Sequence, residues 1–292
     1  MSPAPELCLG TVQFGLSYGI TNQAGQVNEL EVRQILNLAA AAGICLLDTA
    51  QAYGTAEKVL GHCWPQGARR RLISKLPAKS PRESWEQSLI TTLQRLKTQK
   101  LDGFLLHRAS DLLEPDGGRL LEWLNGLRQR GLVERIGVSI YEASELENLP
   151  LRSLQIVQLP LSVYDQRLIH DGTVDRLREL GIAVHVRSVL LQGLLLQSPE
   201  HWPNHLTTAF RDHHTQWLDH LHNEGMTPLE ASLGFIRAHE ELEAGLVGVV
   251  SKKELSQILK AWDQAKGTVL QATDNWAWDN ALDIDPRCWP PR

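Results

Sequence analysis

The chain has 292 residues, 42% of them hydrophobic and 22% charged, which is the balance of an ordinary folded protein with a sizeable core. A formal net charge of −5, with no basic run longer than Arg69-Arg70-Arg71, excludes the electrostatic footprint of a nucleic-acid binder. No apolar run approaches the roughly 20 residues of a membrane span, so no membrane partner is expected.

The amino terminus, MSPAPELCLG, has neither a basic stretch nor an apolar one, and no secretory leader is read there. Cys8, Cys45, Cys63 and Cys288 lack metal-site spacing, and the expectation is a reduced, cytoplasmic protein. A first strand is read over Glu6 to Thr11, followed by a loop rich in Gly, Thr and Asn. Asn28, with Glu31 three residues later, has the spacing of a capping box and predicts a helix running to Gly43. The run Ile44 to Leu47 then has the character of a strand buried on both faces. Asp48 and Thr49 end it, Tyr53 follows four residues on, and a short helix with Val59 and Leu60 is expected to close at Gly61.

Arg71 to Pro77 reads as the third strand and delivers Lys75 at its end. Ser80-Pro81-Arg82-Glu83 supplies a cap, a proline in the first turn and a glutamate three on, and so predicts a helix start. Trp85, Leu89, Leu93 and Leu96 keep helical spacing beyond it. The fourth strand, Gly103 to Arg108, delivers His107, and a helix follows through Leu120, Leu121, Leu124 and Leu127 to Gly131. Ile136 to Ile140, Leu154 to Leu159 and Ile182 to Ser188 read as further strands, with helices over Ala143 to Leu149 and within Asp171 to Leu180.

An irregular insertion, about 192–226, is too long for an ordinary connection. Thr227-Pro228-Leu229-Glu230 repeats the helix-start signal, Leu246 to Val250 is the eighth strand, and Ser251-Lys252-Lys253-Glu254 opens another helix. A carboxyl-terminal loop, about 266–292, completes the chain. Strand–helix alternation with short loops specifies a parallel sheet, and eight such units close into a (β/α)8 TIM barrel, an α/β fold, as a single domain over 1–292.

Asp48 and Tyr53 taken alone read equally well as a helix cap and a packing tyrosine. Lys75 alone reads as a strand-end surface charge, and His107 as a core histidine. Together, a carboxylate, a phenol, an ammonium and an imidazole are offered at the carboxyl ends of successive strands, where α/β barrels carry their chemistry. At these positions the chain resembles the aldo-keto reductase family. The matching segments are LGTVQFG, LLDTAQAYGTAEKVLG, ISKLP, DGFLLH, IGVSIYEASEL, the glutamine of IVQLPLSVYDQRL, and VRSVLLQGLLL, in order from about Leu9 to about Leu255.

The resemblance implies a catalytic tetrad of Asp48, Tyr53, Lys75 and His107, and an oxidoreductase that reduces a small-molecule aldehyde or ketone with NADPH, NADH being the alternative. Tyr53 would be the general acid. Lys75 is expected to lower its pKa as a nearby cation, Asp48 to hold the ammonium, and His107 to donate to the carbonyl oxygen. The resemblance also places Gly10 and Thr11 near the cofactor, Ser139 and Gln158 on the nicotinamide carboxamide, and Ser188 to Gly193, including Leu190 and Gln192, along the pyrophosphate. Ser251, Lys252 and Lys253 fall where the family reads the adenosine phosphate, at a helix start suited to an anion.

Three positions depart from the family pattern. Ile140 replaces an asparagine, Arg187 stands in place of the aromatic that stacks on the nicotinamide, and no Glu-Asn pair for adenine follows Leu255. The competing reading is a nucleotide-binding sensor on the same fold with little turnover. His201, His205, His213, His214, His220 and His222 crowd the insertion, which is read as a solvated, half-helical lid rather than a metal site. Trp276, Trp278 and Trp289 are read either as closing over the barrel mouth or as sealing its wall.

Overall fold

Residues two apart on a β-strand share a face, and this period organises the whole molecule. In the computed structural model, which describes residues 4–265 and 273–290, eight parallel strands close on themselves in sequence order. They are β1 Glu6–Gly10, β2 Leu46–Asp48, β3 Arg71–Leu76, β4 Leu101–Leu106, β5 Val133–Ser139, β6 Ile156–Pro160, β7 Ala183–Arg187 and β8 Ala244–Gly248. Cys8, Leu46, Ile73, Leu105, Ile156, Ala244 and Leu246 form a separate apolar cluster from successive strands, the filled interior of the barrel. Two residues further along the same inward face come Gly10, Asp48, Lys75, His107, Gln158 and Gly248, at or just past the carboxyl ends.

The outer layer is helical: α1 Glu29–Ala41, α2 Ala56–Cys63, α3 Trp85–Leu96, α4 Gly117–Gln129, α5 Arg167–His170 and α6 Thr173–Glu179. After these come α7 Thr208–Asn223, α8 Pro228–Ala238, α9 Lys252–Gln264 and α10 Ala281–Ile284. The larger apolar cluster lies between strands and helices and joins residues from both. No described helix is long and apolar enough to cross a membrane.

Local expectations differ from the structure in a few instructive places. The second helix does not end at Gly61 but runs to Cys63. A Cβ at Gly61 would lie 2.2 Å from the carbonyl oxygen of Arg95, so this glycine permits close packing of α2 on α3. Ser80 does not cap α3. Its hydroxyl donates to the Pro77 carbonyl at 2.7 Å, and a 3-10 turn, Arg82–Ser84, leads into the helix.

The reciprocal capping box does form at Thr227 and Glu230. At the start of α1 only half of one forms: Asn28 accepts from the Glu31 N–H at 3.0 Å, while the Glu31 carboxylate goes to another helix.

Candidate active site

Asp48 ends β2 with its carboxylate divided between two donors. Lys75 Nζ lies 2.6 Å from Oδ1, and Gln158 Nε2 donates to Oδ2 at 2.8 Å. Lys75 also donates to the Thr49 carbonyl at 3.1 Å. Both charges of the pair are buried, Asp48 at 3% exposure and Lys75 at 1%, so each depends on the other for compensation. Thr11 fixes the backbone here, donating through both its N–H and its hydroxyl to the Asp48 carbonyl.

Tyr53 sits in the turn after β2. The 3-10 turn Val12–Phe14 docks beneath that turn because Gly15 lacks a Cβ, which would meet the Tyr53 carbonyl at 1.9 Å. Lys75 Nζ is 5.2 Å from the Tyr53 ring centroid, and the His107 ring meets the same ring edge-on at 5.9 Å. The four residues expected to act together therefore converge at one mouth of the barrel, although 59 positions separate the first from the last (107 − 48).

Burial raises the pKa of the Tyr53 phenol, and Lys75 opposes it through its charge and a hydrogen bond without reversing it. The net direction is thus opposite to the lowering expected from Lys75 alone. The lysine stays protonated: burial disfavours its charge, but Asp48 and Tyr53 outweigh that and raise its pKa. His107 is held down to about 4 by burial and by the nearby Lys75 cation, so its imidazole is neutral at pH 7. The site accordingly presents a protonated phenol and a neutral imidazole beside an ammonium.

Asp48, Tyr53 and His107 floor a cleft of about 840 Å³ that runs across the mouth to α9. Its lining takes in Gly10, Thr11, Ser139, Gln158, Arg187, Ser188, Leu190, Gln192 and Gly193, and reaches Glu254, Gln257 and Ile258. Ser251 and Lys252 stand at the α9 start but do not line it. Sequence reasoning passed over Gln13, Tyr18 and Tyr141, which also line it. Gln13 lay within the LGTVQFG segment and could have been found there.

Ser188, Leu191 and Gln192 adopt left-handed backbone angles, with φ of 63°, 45° and 52°. Strain of this kind costs about 1 kcal/mol or more per residue, and three of the six described non-glycine residues at positive φ fall in the loop that lines the cleft after β7. The first loop ties down on it: Ile20 N–H donates to Gln192 Oε1 and Thr21 Oγ1 to the Gln192 carbonyl, both at 2.8 Å.

Arg187 stands at the end of β7, where its Nη2 donates to the Ile140 carbonyl at 2.8 Å and its guanidinium lies 3.8 Å over the Tyr141 ring. The same ring carries Arg287 at 4.1 Å, a tie between the carboxyl-terminal segment and the mouth.

A model of the aldo/keto reductase family matches residues 6–274. The chain belongs to the aldo/keto reductase family. Among curated relatives of this aldo/keto reductase, oxidoreductase sirO of Leptosphaeria maculans is 24% identical over 295 aligned positions, covering 88% of each chain. Aldo-keto reductase str7 of Strobilurus tenacellus is 27% identical over 205, covering 64% of this chain and 57% of that protein. The holo form of aldo-keto reductase AKR11C1 from Bacillus halodurans superposes with a TM-score of 0.75 at 20% identity, covering 96% of this chain and 95% of that one. That last likeness concerns the fold. As a family member this protein is an oxidoreductase that works with a nicotinamide cofactor.

The insertion of this aldo/keto reductase is placed differently from expectation, and the tail keeps its tryptophans out of the cleft lining, as the second of their two readings has it. Phe210, His214, Trp217 and Leu221 of α7 are buried, so the insertion is a packed helix rather than a solvated lid. His214 is hydrogen-bonded at 2.7 Å to Tyr164, which lies in the loop after β6. Trp276 and Trp278 stack on His213, and Trp289 on His205, and none of the three lines the cleft. Trp276 and Trp278 thus pack on α7, and Trp289 on the segment just before it. His201 ends a 3-10 turn and pairs with Glu200 at 3.6 Å, so it shares no helix face with His205. Residues 266–272 and 291–292, part of the expected carboxyl-terminal loop, lie outside the described residues.

Proposed function

We propose that this aldo/keto reductase reduces an aldehyde or ketone to the alcohol, with Tyr53 as the proton donor. A reduced nicotinamide, when bound, supplies the hydride to the carbonyl carbon. The observation that carries this reading is the chain Gln158–Asp48–Lys75 leading to Tyr53, with a neutral His107 across the ring. Tyr53 remains protonated at neutral pH because burial raises its pKa, as a donor must. Once its proton has moved to the substrate oxygen, Lys75 stabilises the phenolate left behind, and Asp48 keeps that ammonium in place. His107, being neutral, donates a hydrogen bond to the carbonyl oxygen without adding a second cation.

The residues present suit a dinucleotide. The Gln13 amide oxygen lies buried at the cleft with no hydrogen-bond partner among the described residues. Ser139 leaves its hydroxyl uncommitted, and Gln158, whose NH2 is taken by Asp48, keeps its amide oxygen for a donor such as a carboxamide NH2. The strained loop at Ser188 to Gly193 lines the cleft, where the resemblance puts the pyrophosphate.

The test is Tyr53→Phe, followed by the loss of dinucleotide absorbance with a panel of aldehydes and by fluorescence titration of the cofactor. Turnover is expected to fall by about 10²-fold or more, the usual worth of a positioned general acid, with binding retained. Wild-type turnover surviving in that variant removes Tyr53 from the chemistry. Tight binding with no turnover even in the wild type favours the sensor reading.

A further inference from the structure

The far end of the cleft, away from Tyr53 and His107, is built by the start of α9 and is lined by Glu254, Gln257 and Ile258. With a nicotinamide at the tetrad, the adenosine half of a dinucleotide comes to this end. A helix start exposes N–H groups and suits an anion, and the two lysines that follow Ser251 strengthen that appearance. Three N–H groups there already have acceptors. Ser251 Oγ accepts from the Glu254 N–H at 3.2 Å, and the Glu254 carboxylate turns back to accept from the Val250 N–H at 2.8 Å.

The third donor is taken from across the fold. Glu31 Oε1, on α1, accepts from the Lys252 N–H at 2.6 Å. Glu31 thereby gives up the second half of its own capping box, so this contact replaces a local one that its spacing allows.

Two carboxylates consequently stand at this helix start, Glu254 in the cleft lining and Glu31 on the Lys252 N–H just outside it. A phosphate on the adenosine ribose that took this helix start would have to displace Glu31 from its N–H and lie beside Glu254. A ribose with free hydroxyls meets no such repulsion, because a carboxylate accepts from hydroxyls. We propose, building on the dinucleotide-dependent reading above, that this aldo/keto reductase selects the cofactor without a 2′-phosphate, NADH, and that Glu31 is the residue that sets the selection. The expectation of NADPH from family resemblance rested on Lys252 and Lys253 as sequence. Their helix start is committed to acidic partners that sequence proximity does not reveal.

The experiment is isothermal titration of the full-length wild type and Glu31→Gln with NADH, NADPH, 5′-AMP and 2′,5′-ADP. Wild type is expected to bind NADH about tenfold or more tighter than NADPH, and 5′-AMP tighter than 2′,5′-ADP. Glu31→Gln should shift the NADH-to-NADPH affinity ratio toward NADPH by about tenfold, and Glu31→Ala, whose melting temperature is recorded alongside, should shift it in the same direction. Because the discrimination is electrostatic, raising the salt should narrow it in the wild type and leave the variant nearly unaffected. NADPH binding as tightly as NADH to wild type, or a ratio unmoved in both variants, overturns the selection while the reductase reading stands. Binding of neither dinucleotide to wild type takes down both.

Discussion

The two mouths of the barrel are built from the same strands, yet they hold charge in opposite ways. At the amino-terminal mouth, Arg71 pairs with Glu6 and Asp102, and Arg135 with Asp102 at 2.6 Å and Glu243 at 2.8 Å. His185 adds a hydrogen bond to Glu243 at 2.9 Å. Burial raises the Glu243 carboxyl, but His185 and Arg135 outweigh it and bring it down to about 2. Every carboxylate there has a cation, and the network is closed.

The carboxyl-terminal mouth has one closed pair, Asp48 and Lys75, and beside it two groups that carry exchangeable protons, Tyr53 and His107. A cleft opens over them. Closed charge gives stability; a proton donor left facing a cleft gives chemistry. Arg71 and Lys75 lie on one strand, four residues apart, and illustrate both uses.

The sharpest way to break this contrast is Lys75→Met, which strands Asp48 as a buried carboxylate. Stability should fall by about 3–5 kcal/mol in urea denaturation, and turnover should be lost with it. A loss under 1 kcal/mol would show that the pair is not buried as described.

Next comes pH. Because the folded chain keeps His107 neutral down to about 4, the unfolded chain binds an extra proton between pH 6.5 and 4. Stability is therefore fully present above pH 6.5 and is lost on acidification through that window, by up to about 3 kcal/mol. His214, also held down to about 4 by burial, acts with the same sign. Glu243 gives way lower, between pH 4.5 and about 2, so the carboxyl-terminal mouth should fail first. Urea midpoints that stay flat from pH 7 to 4.5, or that do not flatten in His107→Gln, would contradict this.

The smallest effect is expected from Arg135→Met at the other mouth. That side chain is 20% exposed, and Arg71 and His185 still serve its carboxylates. Solvent screening reduces the loss to about 2 kcal/mol, with kcat/KM unchanged at 25 °C. A change in turnover would mean that the two mouths are coupled through the strands.

Much of this was legible in the residues. The strand order, the barrel closure and the convergence of Asp48, Tyr53, Lys75 and His107 followed from apolar runs that end in chemistry-bearing residues. The helix starts at Thr227 and Ser251 were legible because a cap is settled within four residues. Gly61 was misread because the neighbour that decided it, Arg95 of α3, lies outside the local pattern, and Ser80 because its hydroxyl turned back to the Pro77 carbonyl instead of capping the helix.

The sequence by itself determined which side chains each strand hands to the carboxyl-terminal mouth, because the two-residue period of a strand is written into its order of residues. Only the tertiary structure decided how those groups are tuned and what stands opposite them. Burial turned the expected lowering of Tyr53 into a rise, the tail packed its tryptophans on α7 instead of the cleft, and Glu31 reached Lys252 across 221 positions. Desolvation and contacts between distant segments exist only once the chain has closed, and no local spacing encodes them.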